Sequence, residues 1–179
     1  SVGEGMFSGC IKLETVSLPS SVTAIEKNAF SSCESLCGIT LPENLKVIKN
    51  SAFENCVNLK SIEIPESVTI IGDYAFKGCS RLQNITIPES VISIGSDAFK
   101  DCLNIVNLQL GDGVESIGDS AFYYCYRLTS ITIPDGVTSI GDWAFYNCYG
   151  LTSVTSLATT APALGFYAFD LISSDATLY

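Results

Sequence analysis

The sequence predicts a repeat solenoid of α/β type, and three observations carry that expectation. Phe falls at positions 7, 30, 53, 76, 99, 122 and 145, one every 23 residues. Cys keeps the same interval three residues later, at 10, 33, 56, 79, 102, 125 and 148. Between them recurs a short polar–apolar alternation such as Ser61-Ile62-Glu63-Ile64. A fixed period of this length describes units that bury their apolar faces only by stacking on one another.

Each part of the unit follows from its residues. Leu or Ile stands three places after each Cys, at 13, 36, 59, 82, 105, 128 and 151. The alternating run that follows is β-branched and predicts a short strand with one face buried. Pro19, Pro42, Pro65, Pro88 and Pro134 end it, with Gly111 as the one substitute, because proline has no N–H for a ladder. Val68-Thr69-Ile70-Ile71 suits a second extended segment, and Gly72 turns the chain. Asn50, Asp73, Ser96, Asp119 and Asp142 then occupy a place suited to a helix N-cap. Ala75, Phe76, Cys79 and Leu82 have the spacing of one face of a helical or 3-10 turn.

The recurring pattern L-x-x-I-x-I resembles the leucine-rich repeat. The longer I-P-x-x-V-x-x-I-G-x-x-A-F-x-x-C-x-x-L, read for example from Ile64 to Leu82, is similar to its BspA-like, or Treponema-type, class. The resemblance implies a right-handed solenoid with a concave parallel β-sheet and short helical or 3-10 turns on the other side. A right-handed parallel β-helix has turns of similar length and is the alternative; Ala-Phe-x-x-Cys in every unit favours the leucine-rich repeat. The usual Asn ladder of such repeats is replaced by apolar residues, as at Val68. Residues 1–156 read as seven 23-residue repeats, the first partial, and 157–179 as a degenerate last repeat or C-terminal cap. There Ala168 stands at the eighth Phe place, Phe169 comes one late, and Leu171 takes the Cys place. Ser1-Val2 opens in mid-unit, which suggests a piece of a longer protein or a mature chain trimmed of its signal. The last residues, 175–179, are similar to the strand that leads out of such arrays.

Composition narrows the chemistry. The cysteine column reads as buried, unpaired thiols, because equivalent side chains of stacked units point the same way rather than at each other. Cys37 lies outside the column, on a strand. The chain has no His, which removes Ser-His-Asp and Cys-His catalysis and most zinc sites. Glu43, Glu66, Glu89, Asp112 and Asp135 recur once per unit, as a solvated edge does and a catalytic pair does not. One carboxylate per unit is also too few for a calcium column. No catalytic residue, metal site or cofactor is expected. A net charge of -10 with nine basic residues disfavours nucleic acid. No run reaches the roughly 18 apolar residues of a membrane span.

Two surfaces depart from the scaffold. Between the buried strand residues lies a polar platform, nearly uncharged towards the C-terminal end, that includes Asn107, Ser130, Thr132 and Ser153. Tyr123, Tyr124, Tyr126, Trp143, Tyr146 and Tyr149 crowd two adjacent units. The 23-residue interval places Tyr123 under Tyr146 and Tyr126 under Tyr149. Exposed aromatics are enriched at binding hot spots, so Trp143, Tyr146, Tyr149, Tyr123 and Tyr126 are candidate anchors, with the four platform residues as polar neighbours. The expectation is a monomeric, non-enzymatic module that binds a host or cell-surface protein or glycan. The resemblance implies a secreted or cell-surface protein used in adhesion. A structural spacer that displays another domain is the main alternative, and a carbohydrate-active solenoid a lesser one.

Overall fold

A computed structural model describes residues 1–178. Fourteen short strands run through them: β1 (Thr15–Ser17), β2 (Ala24–Ile25), β3 (Gly38–Thr40), β4 (Val47–Ile48), β5 (Ile70–Ile71), β6 (Asn84–Ile87), β7 (Ser93–Ile94), β8 (Asn107–Leu110), β9 (Ser116–Ile117), β10 (Ser130–Ile133), β11 (Ser139–Ile140), β12 (Ser153–Ser156), β13 (Ala163–Leu164) and β14 (Thr177–Leu178). Every strand pairs in parallel with its equivalent one unit away, as Ile131 with Val154 and Ile71 with Ile94. The chain is thus a parallel solenoid. The expected outgoing strand begins at Thr177; Tyr179 lies outside the described residues.

The two extended segments exchange the weight the sequence assigns them. The first, expected as the main sheet, is divided into β1-β3, β6-β8 and β10-β12-β14. Residue Ser61 makes only an isolated bridge to Asn84. The second segment, only two residues per unit, forms one seven-stranded sheet, β13-β11-β9-β7-β5-β4-β2. The second residue of each pair from Ile25 to Ile140 is buried, and the closing glycines lie against the preceding rung. A Cβ at Gly95 would meet Asp73 N at 2.5 Å, so no other residue fits without moving the backbone.

The described residues contain no helix, which corrects the helical or 3-10 turn expected at Ala-Phe-x-x-Cys. The reason lies in the backbone. Residues two before and two after each Phe are left-handed, as at Asn28 (φ 57°) and Ser32 (φ 58°), Ser51 and Asn55, or Trp143 and Asn147. These and the Phe between them donate to the next unit: Phe30 N to Ala52 O (2.8 Å), Asn28 N to Asn50 O (3.1 Å) and Ser32 N to Glu54 O (2.7 Å). The intervening residues donate three places back within the turn, as Cys33 N to Phe30 O (3.2 Å). A helix would spend all those donors inside the unit. None of the left-handed positions, thirteen non-glycine and three glycine, carries Val, Ile or Thr, the types that this backbone penalises most.

The residues read as helix N-caps therefore have another role. The Asp73 carboxylate accepts the N–H of Ser96 (2.9 Å), Asp119 that of Asp142 (2.8 Å), and Asp142 that of Phe166 (2.6 Å). Asn50 Nδ2 donates to Asp73 Oδ2 (3.1 Å). Each of the three carboxylates accepts a donor of the unit above it and Asn50 donates to one, so the column is a ladder between rungs.

The core is two columns deep. Phe7, Phe30, Phe53, Phe76, Phe99, Phe122, Phe145 and Phe169 stack face to face with centroids 5.0–5.3 Å apart and planes within 11°. The last interval is 24 residues. Ala163 pairs with Ser139 at the same offset, so one residue is inserted before Ala163. Phe169, preceded by Ala168, is therefore the eighth Phe of the column, and the eighth Cys place falls to Ile172, which packs on the core. That corrects the register read at Ala168 and Leu171.

Beside the rings, Cys33, Cys56, Cys79, Cys102, Cys125 and Cys148 are fully buried, and all eight cysteines are unbridged. Each buried thiol donates to the Phe carbonyl of the preceding unit, as Cys56 Sγ to Phe30 O (3.1 Å) and Cys102 Sγ to Phe76 O (3.2 Å). The column is thus more than small apolar filling. Burial, the largest cause, pushes Cys56 and Cys148 up to about 12, and holds Cys79, Cys102 and Cys125 well above the usual thiol range. Cys10 is exposed. Cys37, expected on a strand, precedes β3 and is exposed too.

Two outcomes follow. Phe76→Ala removes a ring stacked on both sides and should cost about 3–5 kcal/mol, while Cys79→Ala should cost clearly less; chemical denaturation of both variants measures the difference. Since the thiolate is the nucleophile, a disulfide-exchange reagent should label Cys10 and Cys37 quickly in the native protein. The six buried thiols should react only on unfolding, read by mass spectrometry.

Candidate functional site

The period that builds the core also builds the tyrosine cluster. Tyr123 and Tyr146 directly follow a column Phe, so their rings leave the core at the turn and stack at 5.3 Å with planes 14° apart. Tyr126 and Tyr149 lie three residues further and stack at 5.7 Å and 16°. Tyr124, in the left-handed backbone at φ 63°, ties the two stacks together. Its ring meets Tyr123 edge-on at 4.4 Å and Tyr126 at 5.2 Å, tilted 43°. Tyr126 and Tyr149 are the open members, 38% and 55% exposed.

Charged groups border the cluster along the same columns. Lys100 occupies the rung below Tyr123, with its Nζ 4.9 Å from the ring centre and 3.0 Å from Asp97. Asp101 stands below Tyr124, and Asp170 follows Phe169 on the rung above Tyr146. Neither carboxylate forms an ion pair among the described residues. Arg127 turns its Nη1 to Asn104 Oδ1, 3.4 Å away. Burial raises the Tyr126 phenol above its ordinary range, and the charges of Tyr124, Tyr149 and Asp101 add to the shift. Tyr123 is raised by burial first and then by Tyr124 and Tyr146, while the Asn147 amide opposes the shift.

Asn147 is the unusual member. It sits in the left-handed position above Tyr124 and is only 4% exposed. Its Oδ1 is buried with no hydrogen-bond partner. A buried acceptor left unpaired costs about 1–3 kcal/mol, so it stands out in a fold that pairs its backbone so thoroughly.

The structure separates the other candidates from this corner. Trp143 precedes Phe145 by two residues, is 41% exposed, and shares no ring contact with the tyrosines. Asn107, Ser130, Thr132 and Ser153 lie on β8, β10 and β12 of the divided sheet. Asn107 Nδ2 donates to Asn84 Oδ1 (2.7 Å) along the stack, and no hydrogen bond links these four to the tyrosines. The candidate list thus resolves into a tyrosine corner, a lone Trp and a polar strand face. Tyr124, Asn147 and Asp101 belong to the corner but were not singled out as anchors. Their shared column, two after Phe, is the signal that groups them.

A second concavity was not foreseen. A groove of about 720 Å³ lies over the first rungs of the divided sheet, with Thr15, Ser17, Thr40, Glu43, Glu63 and Glu66 in its wall. It opens where Ser61–Ile64 fails to join β3. Its lining mixes apolar residues such as Ile39 and Ile62 with acidic ones, and Glu43, Glu63 and Glu66 form no ion pair among the described residues.

A sequence model of the BspA type leucine rich repeat region matches residues 1–127 and 46–175, in six copies. No curated relative matches the chain. Among solved structures, a leucine-rich repeat protein from Bacteroides ovatus superimposes with a TM-score of 0.87 at 34% identity, over 95% of this chain and 44% of its own. A leucine rich cell surface protein from Faecalibacterium prausnitzii gives 0.80 and 37%, over 89% and 43%. A leucine rich repeat protein from T. pallidum gives 0.65 and 33%, over 90% and 64%. The chain spans less than half the length of the first two proteins. Of the two solenoid types the sequence allows, the leucine-rich repeat is the one these structures share.

Proposed function

Because the chain belongs to the BspA-type leucine-rich repeat family, we infer that it is a non-enzymatic binding module of a secreted or cell-surface protein, with its tyrosine corner as the contact surface. One observation carries the reading. Five tyrosines gather on two adjacent rungs at positions that the core does not require, since the same columns elsewhere hold Ser31, Glu54, Lys77, Glu34, Val57 and Ser80. Two of the rings are open to solvent. Amphipathic rings held rigid by mutual stacking lose little entropy on contact, which is what a hot spot needs.

The similarity to a protein described as a leucine rich cell surface protein supports the location. Adhesion to host or other cells is the role that suits such a surface. The polar strand face and Trp143 are then secondary contacts, used only if the partner wraps around the solenoid.

The double variant Tyr126→Ala/Tyr149→Ala tests the reading in surface-binding assays against extracellular matrix proteins and glycan arrays. Binding should weaken by at least ~2 kcal/mol, with the melting temperature nearly unchanged. A large fall in melting temperature with binding intact would assign the rings to packing and favour the spacer role.

A further inference from the structure

We propose that the tyrosine corner receives a cationic side chain, an arginine or lysine of a basic segment on a partner protein. The inference rests on the binding role given above and specifies its ligand. Three independent features point to a donor of positive charge.

The first is the unpaired acceptor. Asn147 Oδ1 is buried beside the tyrosines and lacks a partner. Such a group calls for a hydrogen-bond donor that the described residues do not supply. The second is the charge at the rim. Asp101 and Asp170 carry no cationic partner among the described residues, and Asp101 acts on the Tyr126 phenol. The one unpaired cation nearby, Arg127, is engaged with Asn104. The whole chain has a net charge of -10, which speeds encounter with a basic partner.

The third is that the protein already uses this contact twice. Lys77 lies over Tyr74 at 5.1 Å and Lys100 over Tyr123 at 4.9 Å. In the second case the ammonium also reaches a carboxylate, Asp97, at 3.0 Å. Cation, ring and carboxylate therefore fit the pitch of this solenoid. Tyr126 and Tyr149, with Asp101 beside them, offer the ring and the carboxylate without the cation. A guanidinium suits the vacancy best, since it can stack on a ring while donating to both the carboxylate and the amide oxygen.

Fluorescence polarisation with a labelled Gly-Arg repeat peptide, at physiological salt, tests the proposal. A Gly-Gln peptide and cellohexaose, a neutral glycan, serve as the other probes. The Gly-Arg peptide should bind and the Gly-Gln peptide should not. Tyr126→Ala/Tyr149→Ala should weaken it by about tenfold or more. Asp101→Asn should weaken it several-fold, as should Asn147→Gly, which the left-handed backbone accepts. Arg127→Ala should tighten it. Glu43→Gln, an equal change of charge in the distant groove, should leave it unaltered. Equal losses from Asp101→Asn and Glu43→Gln would overturn the proposal in favour of diffuse attraction. Binding of cellohexaose through the same tyrosines, with the basic peptide silent, would overturn it while leaving the binding role intact. If the tyrosine variant changes neither probe, both the proposal and the binding role fall.

Discussion

Everything in this fold depends on how the backbone at the Phe turn disposes of its N–H groups. Alternate residues there, the two left-handed ones and the Phe between them, hand their donors to the next unit. The turn becomes a ladder as continuous as a sheet, though none of it is strand. The phenylalanines inherit its spacing, which sets their rings at 5.0–5.3 Å. From Phe7 to Phe122 a thiol of the next unit fills the remaining lone pair of the Phe carbonyl. With this corner and the seven-stranded sheet both fixed, the first sheet can break at Ser61 without loss of the stack.

Much of this was legible in the residues. Phe and Cys at 23-residue intervals fix the rung, and the column of Ala before Phe leaves room only for close packing. The second strand was visible in Val68-Thr69-Ile70-Ile71 but looked subsidiary, because two residues per unit carry little pattern. Its continuity comes from neighbours and not from its own sequence. The turn was misjudged for a related reason. Apolar residues at spacings of one, three and three suit a helix, yet Asn28 and Ser32 flank Phe30 in a backbone no helix contains. The informative sign was negative: both flanking columns avoid β-branched residues in a chain otherwise rich in them. Asp73 and Asp119 were recognised as caps of something, and only the thing capped differed.

The candidate surface was partly readable. Tyr123 under Tyr146 and Tyr126 under Tyr149 follow from arithmetic on the period. What arithmetic does not give is which columns share a corner, so Trp143 and Ser130 were grouped with rings they do not touch. Nor does it expose a missing hydrogen bond. Asn147 looks like any turn residue until its neighbours are placed around it and its oxygen is found without a donor. The unforeseen groove has the same origin, since a gap in a ladder is a property of two rungs together.

The direction of the ladders has a mechanical consequence. Hydrogen bonds between rungs lie along the axis of the stack, so a pull on the two ends meets them one rung at a time and not as a sheared set. The solenoid would yield as a sequence of small events, each freeing one unit. A released 23-residue unit extends to roughly 80 Å of slack chain, against the ~5 Å it occupied as a rung. A tether built this way lengthens many-fold under load before its last rung opens, and it regains its length by restacking on whatever rungs survive.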